Sequence, residues 1–308
     1  MGIPSMAEVE EDWSTRNQDW VFMGVQGEHA ETPNFDIYTT LANERLRDYL
    51  PTFYETMLEE YMTRFGTLPP PSEQMTSYIF GDQRQWKNKT RMLLPEMSAS
   101  FDSLGRGGFT INGTAVLYDI DKYQWDRDTL ALAAHEGWHQ YAQATFEHQL
   151  PPWLDEALAT NFEGFRFRRG ELYFSPSLNR ERRYRLREAI RNDQLIPLRD
   201  LIDRDPHEAL AESKEALLTF YAQVWALGRF LTEAEDGRYR DKLENVLLLN
   251  AQGDLYRQLL RQARRDGQPV TQDEMTGHRL IETFFNENFD EFAQSYDEWV
   301  QQLARSRG

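Results

Sequence analysis

Residues 131–160 read ALAAHEGWHQYAQATFEHQLPPWLDEALAT. The first half has helical character. Within it His135 and His139 are four apart, which sets both imidazoles on one face, one turn from each other. From there both can reach a single zinc ion at about 2.0–2.1 Å. Glu136 is one residue off that axis, so it flanks the ion rather than binding it, and a carboxylate there can take a proton from metal-bound water. A catalytic zinc site uses three protein ligands, and the two histidines leave it one short. After His139 the chain finishes its helix, turns at Leu150-Pro151-Pro152 and starts another, a length that lets the second helix fold back beside the first. Glu156 then sits among Trp153, Leu154, Ala157 and Leu158, an apolar setting that helix propensity alone would not give a carboxylate. The plainer readings are a helix that happens to hold two histidines and a half-exposed glutamate next to Asp155. Taken together, His135, His139 and Glu156 favour the metal reading.

Upstream, Trp20–Gln26 and Asn34–Thr40 have β character. Leu41–Phe65 is expected to be helical, because Leu46, Tyr49, Leu50, Phe53, Met57, Leu58 and Tyr61 recur at spacings of three and four. Met75–Phe80 reads as a strand. Gly108–Ile111 and Thr114–Tyr118 read as two more, joined at the hairpin pair Asn112-Gly113. Asp126 or Asp128 can cap the helix that carries the histidines and runs to Phe146, and the helix started by Pro151-Pro152 is expected to run to about Phe165. Beyond it almost every pattern is helical, including Leu217–Leu231, Leu243–Leu249 and Phe289–Leu303. The expected class is therefore α+β. An acidic lead (1–18) precedes an N-terminal lobe of sheet and helix (19–150) that includes the first metal helix. A helical C-terminal lobe (151–308) supplies the third ligand. A cleft between two such lobes is a common place for an active site.

Composition narrows the chemistry. The chain has 308 residues, a formal net charge of −17 and no cysteine. An acidic surface repels phosphate backbones, so nucleic acid is not the expected partner. Without thiols, a metal must be held by histidine and carboxylate. No apolar run reaches transmembrane length, and Met1–Asp12 lacks the apolar core of a secretion signal. The chain is expected to be soluble, with an extracytoplasmic setting after signal removal preferred to a cytoplasmic one. Oligomeric state is not readable.

The His-Glu-x-x-His helix followed by the Trp-Leu-x-Glu-x-x-Ala helix resembles the gluzincin zinc peptidases, the peptidase MA-like superfamily that includes thermolysin and the large zinc aminopeptidases. The resemblance extends more weakly to Asn34-Phe35-Asp36-Ile37-Tyr38 before a long helix, similar to small bacterial members, and to Phe220-Tyr221-Ala222-Gln223. It implies a thermolysin-like catalytic domain, Zn2+ as cofactor and a peptide or protein substrate. His135, His139 and Glu156 would then be the zinc ligands and Glu136 the general base. Tyr221 falls where the aminopeptidase branch has a tyrosine that stabilises the tetrahedral oxyanion; a core tyrosine is the plainer reading. Two departures stand out. The aminopeptidase Gly-x-Met-Glu-Asn strand is replaced by Gly107-Gly108-Phe109-Thr110-Ile111-Asn112, without the glutamate that grips a free amino terminus. Gly108, Phe109 and Thr110 are still expected to align a substrate backbone by β-pairing. The position four after Glu156, an aspartate in thermolysin-type proteins, is Thr160, which leaves Asn161 or Glu163 to orient a ligand histidine. The alternative function is a catalytically inactive scaffold that binds a peptide or partner. The arginines at 166, 168, 169, 180, 182, 183, 185, 187 and 191 read as a solvated helix face, or as a rim for acidic peptides.

Overall fold

Alternation of buried and half-buried residues along Phe35–Thr39 and Met75–Phe80 is what a sheet with a helix on one face requires. The structure is a computed structural model and describes residues 16–96, 107–120, 127–168, 171–204, 206–267, 277–285 and 288–306. Most of the expected acidic lead lies outside the described residues. The fold is mixed α+β. The chain divides into two compact units: Met1–Tyr61, Pro70–Ala144 and Phe165–Phe174 form one, and Met62–Pro69, Thr145–Gly164 and Ser175–Gly308 the other. The units do not follow a single cut at 150: residues 62–69 and 145–150 cluster with the second unit, and residues 165–174 with the first.

The first unit holds a six-stranded sheet in the order β1-β2-β3-β4-β6-β5. Its strands are β1 (Arg16–Phe22), β2 (Val25–Glu31), β3 (Phe35–Thr39), β4 (Met75–Phe80), β5 (Phe109–Ile111) and β6 (Thr114–Tyr118). β3 to β4 and β4 to β6 run parallel, and the other neighbours antiparallel. The run read as one strand at Trp20–Gln26 is in fact a hairpin. Its turn falls at Met23-Gly24, where φ is 52° and 77°. Helix α1 (Glu44–Arg64) buries Leu46, Tyr49, Leu50, Phe53, Tyr54, Met57, Leu58 and Tyr61, and Tyr54 meets Phe35 of β3 edge-on at 5.0 Å. Helix α2 (Gln83–Leu93), capped by Asp82, was not expected from the sequence. It inserts Trp86 among Phe80, Phe109, Val116 and Tyr118, and the indole N–H donates to the Val116 carbonyl at 3.0 Å. Helix α3 (Arg127–Thr145) carries the histidine pair.

The expected helix from Pro152 to Phe165 stops early. α4 (Pro152–Ala159) ends in a 3-10 turn at Thr160–Phe162, and a hairpin follows, β7 (Phe165–Arg168) with β8 (Glu171–Phe174). Phe165 and Phe167 pack on Phe53 and Tyr49 of α1 at 5.8 and 5.4 Å, and Arg166 and Arg168 point outward. Part of the arginine-rich stretch is therefore a strand and not a helix face.

The second unit is helical: α5 (Arg180–Arg191), α6 (Leu198–Asp203), α7 (Pro206–Glu212), α8 (Lys214–Glu233), α9 (Arg240–Ala251), α10 (Leu255–Arg265), α11 (His278–Phe284) and α12 (Phe289–Arg305). α8 is its axis. Ser213 caps it, and from Phe220 to Leu231 its side chains are almost all buried. Phe230 contacts Tyr239, Phe292 and Tyr296, which closes the aromatic core of this unit. No helix among the described residues is long and apolar enough to cross a membrane.

Candidate metal centre

α3 is buried on nearly every side. Ala133, Ala134, His135, Glu136, Gly137, Trp138, Gln140 and Tyr141 are all interior, so each polar group needs a partner. The Tyr61 hydroxyl donates to the Ala134 carbonyl at 2.6 Å. Burial, then the charges of Tyr54 and Glu136, push the Tyr61 pKa well above its ordinary value, which keeps it a donor. Gly137 is what allows α1 this close: a methyl group there would lie 2.6 Å from Tyr61 Oη and 3.0 Å from Met57 Cε. Trp138 fills the remaining space against Tyr61 and Tyr141.

A second stripe of α3, at positions 136, 140 and 143, holds the β5–β6 hairpin. Thr110 Oγ1 lies 2.9 Å from Glu136 Oε2 and 3.0 Å from the Glu136 carbonyl, between which its one proton is shared. Gln140 donates to the carbonyls of Thr76 and Gly113 at 2.7 and 3.0 Å and accepts from Ser77 Oγ at 3.0 Å. Gln143 Oε1 accepts from the Gly113 N–H at 2.9 Å. Three side chains spaced one helical turn apart thus fix the last strand of the sheet against the helix. Gly108 completes the approach, since a methyl group there would sit 3.1 Å from Glu136 Cγ.

The remaining stripe carries the histidines. His135 is buried and His139 half-buried, and their Nε2 atoms face each other at 3.2 Å. Two nitrogens each about 2.0–2.1 Å from one tetrahedral ion stand roughly 3.3–3.4 Å apart, so this spacing fits a shared metal. Glu156 of α4 offers a carboxylate oxygen, and this oxygen and one ring nitrogen of each histidine all lie within 4.8 Å of one another. His135, His139 and Glu156 could therefore hold a metal ion, as their positions in the sequence led one to expect.

The expected supporting residues engage differently. Thr160 Oγ1 returns to the carbonyls of Glu156 and Ala157 at 2.8 and 3.1 Å, and Asn161 Nδ2 donates to the Ala157 carbonyl at 2.6 Å; both secure the end of α4. Glu163 receives a two-pronged grip from Arg182 at 2.8 and 2.6 Å and a bond from Asn179 at 2.6 Å. The Arg182 guanidinium also lies 4.8 Å from the centre of the Tyr221 ring. Burial works to lower the Arg182 pKa, but Glu163, with Tyr221 and Glu156 adding their charge, raises it on balance. Tyr221, half-buried on α8, is thus set by a fixed cation. Phe109 is a core residue against Trp86, so in β5 only its backbone is available for pairing. His148 stacks edge-on against Tyr256 at 5.0 Å, and the side chain of His207 lies outside the described residues. Gln140 and Gln143 were not singled out from sequence; Tyr61 was read only as part of an apolar helix face, and Arg182 only as one of the arginines of a solvated face or rim.

Comparison with family models, with curated proteins and with solved structures returns no match. The functional reading stands on the residues themselves.

Proposed function

We propose that this chain is a zinc-dependent peptidase of the gluzincin type, with a thermolysin-like arrangement of its metal helices. The observation that carries this reading is the convergence of His135, His139 and Glu156, with Glu136 interleaved between the histidines and tied to β5. A zinc ion held by His135, His139 and Glu156 would supply Lewis acidity and make water a much stronger acid. Glu136 takes the proton of the attacking water and delivers it to the departing amine. Thr110 fixes the rotamer of that carboxylate, which saves the cost of orienting it during the reaction. The outer edge of β5 offers its backbone to a peptide in the manner of an added strand.

Tyr221 donates its phenol to the oxyanion that develops in the transition state. The expected loss in Tyr221→Phe is about 10²-fold or more in kcat with KM little changed, the value typical of one oxyanion donor. Unchanged kcat in that variant would return Tyr221 to the core.

The primary test is metal analysis of protein purified without added metal, with His139→Ala and Glu156→Ala beside it, followed by digestion of a peptide library with and without chelator. About one zinc per chain, lost in both variants, together with chelator-sensitive cleavage, supports the proposal. Zinc without cleavage would favour the binding scaffold. No zinc, and none taken up on addition, would remove the metal reading altogether.

A further inference from the structure

We propose that Lys89 is a modification site, the lysine of this chain that takes an acyl group from a thioester, and that it acts apart from the metal centre. Lys89 lies on α2, one turn after the buried anchor Trp86, and so on the side of the helix that faces the sheet. Its Nζ stands 3.7 Å from the centre of the Tyr78 ring of β4, the shortest contact between a cation and a ring among the described residues.

The surroundings are aromatic. Tyr78 and Tyr38 are partners across β4 and β3, and their rings stack at 4.9 Å. Trp20 of β1 and Phe80 lie 6.1 and 6.2 Å from Tyr78. Lys89 and Tyr78 are both half-buried, so the amine is partly stripped of water and still open to a small reagent. Lys89 has no carboxylate and no hydrogen-bond acceptor among the described residues, in a chain with 51 acidic ones. The ring face favours the ammonium, but burial works against it and lowers the Lys89 pKa.

The choice of residue points the same way. Only five of the 34 lysine and arginine residues are lysines, at 87, 89, 122, 214 and 242. Arginine is the better ring stacker and keeps its proton; lysine can give its proton up. The other lysine over a ring, Lys242, donates to the Phe285 carbonyl. At Lys89 nothing but the ring holds the ammonium. The free amine attacks the acyl carbonyl, a C–N bond forms and the C–S bond breaks. The thiolate leaves and takes up the proton that nitrogen loses. The neutral amide that results no longer carries the burial cost of a charge.

The test is reaction of the full chain at pH 7 with a limiting amount of the acetyl thioester of N-acetylcysteamine, with the rate at each lysine read by peptide mass spectrometry. A fall of one in pKa gives about ten times as much free amine at pH 7, so Lys89 should react at least about threefold faster than any other lysine. Its rate should also level off at a lower pH than theirs. Tyr78→Phe should keep the advantage, and Tyr78→Thr, which opens the wall to water, should lose most of it. A Lys89 that reacts no faster than Lys87 in the unaltered chain overturns the proposal, whether or not the threonine variant folds. So does an undiminished advantage in folded Tyr78→Thr.

Discussion

The expected result for Glu136→Gln is a protein that keeps its metal and its fold but loses about 10²–10⁴-fold in kcat on a cleavable peptide, the range of a positioned general base. That loss corresponds to roughly 3–5 kcal/mol of barrier. Glutamine is the informative substitution because of what Thr110 does. The Thr110 hydroxyl bonds a side-chain oxygen and the backbone carbonyl of the same residue, and the glutamine amide oxygen can still accept from it. Gln140 and Gln143 continue to hold the hairpin from their own positions on α3. The strand, the helix and the two ligand histidines therefore stay where they are, and only the capacity to accept a proton is removed. Glu136→Ala confounds the issue, because it deletes the partner of Thr110 in a residue only 6% exposed. Full kcat in a metal-loaded Glu136→Gln protein would eliminate Glu136 as the base. Loss of metal in that variant would show instead that Glu136 shapes the metal centre.

The grouping of His135, His139 and Glu156 was legible because its logic is local. A spacing of four on a helix and a turn short enough to bring the next helix back are facts of geometry that survive in a string of letters. The hairpin at Asn112-Gly113 was legible for the same reason: both residues adopt positive φ, 49° and 69°, and this pair is the one most often found there. The turn at Met23-Gly24 uses the same conformation with a methionine in the first place, and methionine gives no turn signal. α2 escaped notice because Trp86 is its one large apolar anchor in an otherwise polar stretch. β7 and β8 were hidden by arginines: Phe165-Arg166-Phe167-Arg168 alternates as a strand should, but over four residues that pattern competes poorly with surrounding helical spacing. The contacts that hold the site in place were beyond reach altogether. Tyr61 reaches Ala134 across 73 positions of sequence, Thr110 reaches Glu136 across 26, and Arg182 reaches Glu163 across 19. Periodicity is silent on what such residues touch.

Gly228→Ala tests whether the third ligand depends on how α4 is packed, and a small side chain is expected to have a large effect there. In an ordinary helix interior, alanine is favoured over glycine by about 0.8–1.0 kcal/mol. At Gly228 the sign reverses. A methyl group there would lie 2.3 Å from the Ala157 carbonyl oxygen and 2.2 Å from Asn161 Nδ2, closer than atoms can approach. The first is backbone of α4 and the second is buried and bonded to that same carbonyl, so neither yields without moving the helix. Overpacking of this kind costs typically 1–3 kcal/mol and here must also overcome the propensity gain, so Tm should fall by about 4–8 °C. Ala157 is the neighbour of Glu156, and a displacement of a few tenths of an ångström at one is passed to the other. Metal affinity should therefore fall by about 10–100-fold, the effect usual when a ligand loses its support. Asn161→Ala in the same chain separates the causes. It removes the closer clash and leaves the backbone one, so it should recover part of the lost stability and little of the lost affinity if the α4 backbone is what positions Glu156. Recovery of both would place the fault in Asn161, and an unchanged Tm in Gly228→Ala would mean that α4 and α8 are not packed as closely as these distances require.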